Sequence, residues 1–548
     1  MNSLDRAVVF IPAFRKNARF QDDLLRKLYG VSLVQRVIDK AQLLGCKKDS
    51  IHLLTDAEEI ALIGKRNNLR VFCRETLELE NADVVGEFRE YLTAAEQHRT
   101  ISVLLSPYAP LLATEIVQEA GKAFLKSEFQ VLKPVRVVKR TLFDNESYTL
   151  ASSLRGNRNE THRIESRAFI LLRPGELLQP CDARLSVLPW DVGDDAFEIE
   201  TLKDWWVSEK LLQRKRIVFR VIGNSRVGMG HVYRTLALAH ELHDHEILFV
   251  TDTQNQVAVE AIVKRDYWLG VYRPKEVVNK IICLQPDMVI NDVLNTNKKD
   301  IQKIKNTGSA VISFEDLGTG ARCTDLTINE IYDTPRFTEE HVLWGRKYFF
   351  LRNEFQTARP HRFKKKVDSV MLAFGGTDQH DLARKIFLAI WPLCKELGIF
   401  VHVVVGPGYR GYERLAREIE GNDQASLTRG SEVISDIMEQ ARVAITSNGR
   451  TVYELAHMNI PAIVIAQHER EVTHAFASEQ NGFISLGIYQ AGKTEQQVVE
   501  KLKHLALDTS YRQQLFSRMS SCRFTKNKET VVNMIRELLA HSTGSSWN

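Results

Sequence analysis

The chain has 548 residues, a formal net charge of +5 at pH 7, 44% hydrophobic residues and 26% charged residues. One core rarely grows beyond about 300 residues, so this length predicts about two to four domains. The small net charge gives no reason to expect a nucleic-acid partner, and the sequence has neither an apolar run of about 20 residues nor a signal-peptide pattern. We therefore expect a cytoplasmic protein with no membrane partner.

The seven cysteines are scattered along the chain and form no Cys-x-x-Cys pair. Structural zinc sites need clustered cysteine and histidine ligands at short spacings. The pattern therefore predicts reduced structural thiols and no structural zinc.

Residues 1–213 alternate between short apolar runs and amphipathic segments. The runs AVVFIPAF, SIHLLTD, LRVFCRE and ISVLLSPYAPLL are typical of buried strands. This alternation predicts an α/β domain with a mainly parallel sheet. Residues 141–184 are predicted to be irregular, and the segment FEIETLKDWWVSEKLLQRKR predicts a short strand and a helix that close the domain.

The Ile-Pro-Ala segment and the basic loop after it resemble the sugar-acid cytidylyltransferases of the CMP-sialic acid synthetase group. The resemblance covers most of residues 5–212 and lies in the order of the structural elements more than in the catalytic residues. The resemblance implies a GT-A-like domain that binds CTP and Mg²⁺. Nucleotidyl transfer needs cations beside the triphosphate and carboxylates on the magnesium ion. The candidates are Arg15, Lys16 and Arg19 for CTP and Glu198 and Glu200 for Mg²⁺.

Several positions depart from that family. Phe14 stands where the family has arginine, Asp23 stands at a lysine position, and Glu198 and Glu200 replace two aspartates. The longer glutamates would move a magnesium ligand. Two interpretations stay open: a working CMP-sugar synthetase with altered ligands, or a degenerate domain retained for architecture, binding or association, through which the chain could form an oligomer.

From residue 214 onwards strands and helices alternate again. Residues 214–360 contain the runs RIVFRVIG, HEILFVTDT, DMVINDV and AVISFEDLG, and residues 361–548 contain SVMLAFGG, IFVHVVVGPG, VAITS and PAIVIAQ. Pro360 and the basic run after it indicate a linker between the two stretches. We expect two Rossmann-like lobes with a ligand between them, at the carboxyl ends of the strands.

A glycine-rich turn, VGMGH, follows the first strand of this region and opens a helix. Gly228 and Gly230 shape the turn, and its N–H groups favour a phosphate or a developing anion. The positive end of the helix disfavours a second proton on His231, which can then act as a neutral base toward water or a hydroxyl. Taken alone, the motif is also compatible with a structural turn in which His231 caps or packs.

Two turns in residues 361–548 resemble the VGMGH turn, because each follows a predicted strand and contains glycine. Gly375 and Gly376 follow a strand and let the backbone approach a diphosphate, with the hydroxyl of Thr377 as a donor. The other strand-to-helix turn and its helix contribute four candidates: Ser447, Asn448, Gly449 and Glu454. An ordinary glycine turn and a solvated glutamate would explain the same residues.

Five segments in order resemble the UDP-sugar hydrolase of pseudaminic acid biosynthesis, a GT-B-fold enzyme that releases UDP from a 2,4-diacetamido-2,4,6-trideoxy sugar. They are VGMGHVYRTLALA, AVISFEDLGTGARCTDLTINEIYD, GRKYFFLRNEF, AFGGTDQHDLARKI and ITSNGRTVYELAHMNIPAIVIAQ. The resemblance implies His231 as the base, the diphosphate between the two glycine turns and Glu454 on the ribose. It also implies substrate-binding candidates: Asp292, Glu315, Asp316, Asn329, Arg352 and, in a positional role, His474.

The resemblance implies no cofactor for this half of the chain. Ile222 stands at an acidic position of the family, so sugar recognition could differ from the family norm. Two alternatives remain. In a GT-B glycosyltransferase His231 would activate an acceptor hydroxyl instead of water, and in a non-catalytic scaffold the cleft would bind a nucleotide sugar without turnover.

Overall fold

The computed structural model describes residues 4–15, 18–73, 89–96, 99–139, 161–176, 184–224, 227–430 and 433–541. The chain divides into two compact units, Met1–Arg214 and Lys215–Ser546. Lys16, a predicted CTP contact, lies outside the described residues. Among the helices that the structure describes, none combines the length and apolar character needed to cross a bilayer.

The described residues of the first unit form ten strands. They are β1 (Ala7–Pro12), β2 (Lys27–Leu28), β3 (Val31–Ser32), β4 (Ile51–Thr55), β5 (Arg70–Cys73), β6 (Ile101–Leu105), β7 (Val131–Lys139), β8 (Thr161–Glu165), β9 (Phe169–Leu172) and β10 (Val187–Asp191). The main sheet has the order β10-β7-β9-β6-β1-β4-β5, with β8 paired to β7. Strand β1 is apolar throughout because it is central and lies parallel to both neighbours.

The helices of the first unit connect and cover these strands. They are α1 (Leu33–Leu43), α2 (Glu58–Arg66), α3 (Arg89–Glu96), α4 (Thr114–Leu125) and α5 (Leu202–Leu212). The predicted closing helix is α5, which begins with a capping box between Thr201 and Asp204. The short strand expected just before α5 does not form, and residues 197–200 have no regular structure.

The stretch expected to be irregular, residues 141–184, contains β8 and β9 within its described part. The apolar run Phe169–Leu172 pairs antiparallel with β6 and β7, so it supplies a buried strand between them. Four residues are too few to show a clear hydrophobic period in the sequence. The polar residues on both sides therefore led to the prediction of an irregular segment.

The second unit contains two sheets, and the first has seven strands. They are β11 (Arg216–Val221), β12 (Glu246–Asp252), β13 (Trp268–Tyr272), β14 (Met288–Asp292), β15 (Ala310–Phe314), β16 (Leu326–Asn329) and β17 (Val342–Trp344). Their order is β13-β12-β11-β14-β15-β16-β17, and all neighbours are parallel. The order reverses between β11 and β14, so a crevice opens at the carboxyl ends of these two strands.

The second sheet repeats this plan with six strands. They are β18 (Ser369–Ala373), β19 (Phe400–Val405), β20 (Ala425–Arg429), β21 (Val443–Ser447), β22 (Ala462–Ala466) and β23 (Phe483–Ile488). Their order is β20-β19-β18-β21-β22-β23, and again all neighbours are parallel. The reversal lies between β18 and β21.

Helices surround both sheets of the second unit. They are α6 (Gly230–Glu241), α7 (Gln256–Val263), α8 (Val277–Cys283), α9 (Lys298–Lys305), α10 (Leu382–Leu397), α11 (Tyr412–Ile419), α12 (Ser435–Gln440), α13 (Thr451–His457), α14 (Glu469–Val472), α15 (Lys493–Leu507), α16 (Thr509–Met519) and α17 (Asn527–His541). Helix α17 returns to the first sheet, where Val531 and Ile535 join the core around Ile217. The predicted fold class, an α/β first domain followed by a two-lobed GT-B arrangement of Rossmann-like sheets, is confirmed.

Candidate active site

The glycine turns of the two lobes meet at the crevice. Gly228 has φ +78° and Gly375 has φ +79°, a region of backbone conformation that favours glycine. A Cβ on Gly376 would lie 3.1 Å from the backbone nitrogen of Met229. The two turns are therefore in close backbone contact, and a side chain at Gly376 would push them apart.

A cleft of about 730 Å³ opens beside these turns, a volume typical of small-molecule sites. Both lobes contribute to its lining. The predicted residues that line it are Gly228, Gly230, His231, Glu315, Arg352, Gly375, Gly376, Thr377, Ser447, Gly449, Glu454 and His474. The structure therefore brings most of the candidate residues of this unit into one cleft.

His231 lies on the first turn of α6, where it lines the cleft. Its Nδ1 is 2.6 Å from Oδ1 of Asp292, the last residue of β14. An ionised carboxylate only accepts hydrogen bonds, so Nδ1 carries the hydrogen and Nε2 is left for a reacting group. Asp292, expected among the substrate-binding residues, is fully buried and orients His231 instead.

Arg234 follows His231 by one helical turn and holds the other side of Asp292. Its Nε is 2.7 Å from Oδ2 of Asp292 and its Nη2 is 2.5 Å from Oδ1, a bidentate pair. Its Nη1 is 2.5 Å from Glu315 and 2.8 Å from Glu330. Only 1% of Arg234 is exposed, so these three carboxylates compensate a charge that is removed from water.

The second lobe joins this cluster through Arg450, which directly precedes α13. Its guanidinium donates to Glu330, and Nη1 lies 3.7 Å from Glu315. Its Nη2 donates to the backbone oxygen of Phe350 at 3.1 Å. We call His231, Arg234, Asp292, Glu315, Glu330 and Arg450 the charge cluster.

Burial and opposite charges compete within the charge cluster. Burial acts to raise the pKa of Asp292, but Arg234 and His231 outweigh it and hold that pKa below its usual value. The same balance, with Arg234 as the main cation, holds the pKa of Glu315 well below its usual range. Burial, with a smaller contribution from Arg234, lowers the pKa of Arg450 to about 10. These two carboxylates and Arg450 are therefore charged at neutral pH.

Glu454 projects from α13 and is held by a residue of the segment between the two sheets. The Nε of Arg352 lies 3.0 Å from Oε1 of Glu454, and Nη1 lies 2.9 Å from Glu354. Arg352 and Glu454 both line the cleft. The ion pair fixes the Glu454 carboxylate in the wall, where it can accept hydrogen bonds from a ligand.

His474 is 8% exposed and lines the cleft. Its Nδ1 is 2.7 Å from the backbone oxygen of Asn448, so this nitrogen donates. Its Nε2 is buried and has no hydrogen-bond partner among the described residues. Since burial lowers the pKa of His474, the ring is neutral and Nε2 is an acceptor that a ligand can satisfy.

Besides Asp292, three further predicted residues do not line the cleft. Asp316 is fully buried and accepts from the backbone nitrogens of Thr296 and Gly318 at 2.9 and 2.8 Å. Asn329 donates to the backbone oxygen of Asp316 at 3.2 Å. Asn448 donates to the backbone oxygens of Glu471 in α14 and of His474. All three stabilise the backbone of segments next to the cleft.

In the first unit the candidates are largely engaged in protein contacts. Arg15 pairs with Asp22 at 2.9 Å and with Glu59 at 3.3 Å. Arg19 donates to a backbone oxygen and lies 3.8 Å from Glu198.

The two magnesium candidates differ in their surroundings. Glu198 accepts from the hydroxyl of Ser166 at 2.9 Å and from the backbone nitrogen of Arg167 at 2.5 Å. Glu200 is exposed. Among the described residues, no group of three or more His, Cys, Asp or Glu side chains could hold a metal ion.

Three members of the charge cluster were not among the predicted residues: Arg234, Glu330 and Arg450. Arg234 stands three positions after His231, a spacing that places both on one helix face, so this residue could have been found. Glu330 follows Asn329, and Arg450 follows Gly449, but nothing in the local sequence indicates that they meet. Their contact joins residues 120 positions apart.

No family model matches the chain. An uncharacterized protein of Methanocaldococcus jannaschii is 27% identical over 267 residues, and the chain spans about half of that relative, 54% of its length. The spore coat polysaccharide biosynthesis protein SpsG of Bacillus subtilis is 26% identical over 48% of this chain and 82% of its own length. The UDP-2,4-diacetamido-2,4,6-trideoxy-beta-L-altropyranose hydrolase of Campylobacter jejuni is 24% identical over 46% of this chain and 93% of its own length.

Two solved structures have more distant likenesses. MurG of Acinetobacter baumannii has 11% identity and a TM-score of 0.43 over 59% of this chain and 99% of its own. A CMP:2-keto-3-deoxy-manno-octonic acid synthetase complexed with CTP has 12% identity and a TM-score of 0.31 over 38% of this chain and 98% of its own. The chain is thus similar, over somewhat less than half its length, to a polysaccharide biosynthesis protein and to a UDP-sugar hydrolase.

Proposed function

We propose that the second unit acts on a nucleotide sugar and hydrolyses a UDP-linked 2,4-diacetamido-2,4,6-trideoxy sugar to UDP and the free sugar, without a cofactor. The observation that carries this proposal is the position of His231, which is oriented by Asp292 and lines the cleft where the two glycine turns meet. The similarity to the Campylobacter hydrolase, over 93% of that enzyme, supports the choice of substrate.

The chemistry follows from the donors in the cleft. Nε2 of His231 takes a proton from water as the water oxygen forms a bond to the anomeric carbon. The bond between that carbon and the diphosphate oxygen breaks, and its electron pair leaves with UDP. Backbone N–H groups of the turns at Gly228 to Gly230 and Gly375 to Thr377 stabilise the diphosphate, and the carboxylate of Glu454 accepts from the ribose hydroxyls.

The test is incubation of the purified protein with the UDP-sugar and no acceptor, with UDP release measured over time. We expect release by the native chain and a loss of about 10²- to 10⁴-fold in the His231→Gln variant. His240→Gln, at an exposed position of the same helix, is the matched control and retains the native rate. Addition of EDTA leaves the rate unchanged.

Two outcomes of that test would contradict the proposal. UDP release that requires an added sugar acceptor would identify a glycosyltransferase in which His231 activates an acceptor hydroxyl. UDP binding by native and variant chains, with turnover by neither, would identify a binding scaffold.

For the first unit we propose a degenerate cytidylyltransferase domain retained for architecture, binding or association. Supporting this, Oε1 of Glu198 already accepts two hydrogen bonds, and Arg15 is paired with acidic side chains. CTP, Mg²⁺ and a nonulosonic acid should give little or no pyrophosphate. Robust pyrophosphate release that Glu198→Ala or Glu200→Ala abolishes would show an active synthetase instead.

A further inference from the structure

We propose that Arg450 of the second lobe is a positioning residue for His231 in the first lobe, acting through the charge cluster. The inference rests on the proposed hydrolase function and deepens it, because it names the group that tunes the base. The role proposed for Arg450 differs from that of its neighbours Gly449 and Glu454, which are assigned to nucleotide binding.

Arg450 packs directly against the turn that carries His231. A Cβ built on Gly230 would lie 3.1 Å from Cδ of Arg450 and 3.9 Å from its Cγ. Gly230 does not have a positive φ, so the backbone conformation does not require glycine there. Because Gly230 has no side chain, Arg450 can pack against the backbone directly before His231.

The side chain of Arg450 is held from three sides. Its guanidinium lies 4.5 Å from the ring centroid of Phe349, donates to the backbone oxygen of Phe350 and pairs with Glu330. Phe349 in turn stacks on Tyr453 of α13, with centroids 4.0 Å apart and planes at 12°. A guanidinium fixed in this way gives a defined charge at a defined place, which a mobile surface arginine would not.

Arg450 supplies one of the two positive charges that offset the buried carboxylates of the charge cluster. Two guanidinium groups face three buried carboxylates, so one negative charge is in excess while His231 is neutral. Glu330 is fully buried and bonds only through Oε1, to Arg234 and Arg450, among the described residues. Without Arg450 a second negative charge is uncompensated, and a proton on His231 becomes more favourable.

Other charged or titratable groups lie around His231, and Arg470 is a further cation that acts on Glu315. Arg470 of α14 bonds Tyr332 and the backbone oxygen of Glu315. Arg352 and Glu454 form an ion pair in the cleft wall. His474 is neutral because burial lowers its pKa. Arg470 bonds the backbone of Glu315, whereas Arg450 bonds the carboxylate of Glu330, so removal of Arg450 changes the charge balance of the cluster from the side of the second lobe.

The first experiment reads the base without any substrate. Histidine-selective NMR, with His231 assigned by loss of its signal in His231→Gln, follows the protonation of His231 in the native chain and in Arg450→Met. We expect the midpoint of its titration to move upward by about one pH unit in Arg450→Met. Arg450→Lys keeps the charge and should show a smaller upward shift, and Arg414→Met, at an exposed site on α11, should show none.

The second experiment uses turnover of the UDP-sugar. In Arg450→Met the rise of kcat with pH should move to higher pH by the same amount, so that kcat falls by up to about tenfold at pH values below the native midpoint and recovers in alkaline buffer. A loss of kcat that is equal at every pH would overturn the proposal, since it would show a structural defect alone.

The two proposals fail in different ways. If the native chain releases no UDP, the hydrolase function fails while the NMR titration still reports on Arg450. If the native chain is active but the His231 midpoint is the same in Arg450→Met and in the native chain, the role of Arg450 is wrong and the hydrolase function stands. A chain that unfolds in Arg450→Met is replaced by Arg450→Gln, which keeps an N–H donor for Glu330 and again lacks the charge.

Discussion

Oδ1 of Asp292 lies 2.6 Å from Nδ1 of His231, at the carboxyl end of β14 and the amino end of α6. The same carboxylate is held by Arg234 in a bidentate pair. A cleft-lining imidazole is thus fixed in one tautomer by a carboxylate that is itself fixed by a buried cation. This arrangement is suited to a general base and is more elaborate than a packed structural histidine needs.

The first prediction concerns Asp292. In Asp292→Asn the amide no longer compensates Arg234 and can stabilise the wrong tautomer of His231, so kcat should fall by about 10²- to 10⁴-fold. Breaking the buried pair should also lower the free energy of unfolding by about 3 kcal/mol or more, measured by urea denaturation. Asp423→Asn, at an exposed position, should change neither quantity. Native activity in Asp292→Asn would show that the orientation of His231 does not matter.

The second prediction concerns the contact between the glycine turns. In Gly376→Ala the new Cβ would lie 3.1 Å from the backbone nitrogen of Met229, so the turns must separate. Overpacking of this kind costs about 1–3 kcal/mol, and if that cost falls on the arrangement of the turns that binds the diphosphate, UDP affinity should fall by about 5- to 150-fold, measured by calorimetry. Gly449→Ala, whose Cβ would meet no atom within 4 Å, should leave the stability of the ligand-free chain unchanged. Native UDP affinity in Gly376→Ala would argue against a diphosphate at these turns.

The third prediction concerns Glu454. If its carboxylate accepts from the ribose hydroxyls, the native chain should bind UDP about tenfold more tightly than 2′,3′-dideoxy-UDP. Glu454→Ala should bind the two nucleotides equally, because the group that tells them apart is gone. Unchanged discrimination in the variant would place the ribose elsewhere.

The fourth prediction is a dependence of stability on pH. Burial raises the pKa of Glu471, in α14 beside the cleft, to about 7 from an ordinary value of 4.5. The folded chain therefore keeps a proton that the unfolded chain releases, and stability falls as pH rises from 4.5 through about 7. Glu471→Gln removes this loss, so the variant should be more stable than the native chain at pH 8 by about 2–4 kcal/mol and close to it at pH 4.5. Urea denaturation at both pH values is the measurement, and equal stability at pH 8 would contradict the assignment.

Much of the fold could be predicted because the buried parallel strands are continuous apolar runs, such as β1 and β18. The glycine turns could be predicted for a similar reason, since each follows such a run at the point where ligands bind in doubly wound sheets. Strands β8 and β9 could not, because β8 is polar and mostly exposed, and β9 is a run of four residues in polar surroundings.

The electrostatic interactions within the site were harder to predict from the sequence than the position of the site. Asp292 and Asp316 look alike in the sequence, as acidic residues at strand ends, yet one orients the base and the other caps a loop. The contact between Glu330 and Arg450 exists only because the two lobes close on each other. The local hydrophobic periodicity of the sequence cannot predict such a contact. Burial and pairing across the cleft decide which charged residues act on His231.

The most direct test of the central claim is hydrolysis of the UDP-sugar in H₂¹⁸O without an acceptor, with UDP analysed by mass spectrometry. Attack of water on the anomeric carbon breaks the bond from carbon to oxygen, so the released UDP should contain no ¹⁸O. The rate of release should fall by about 10²-fold or more in His231→Gln. Release of ¹⁸O-labelled UDP, or release at the native rate by His231→Gln, would contradict a hydrolase in which His231 delivers water to the anomeric carbon.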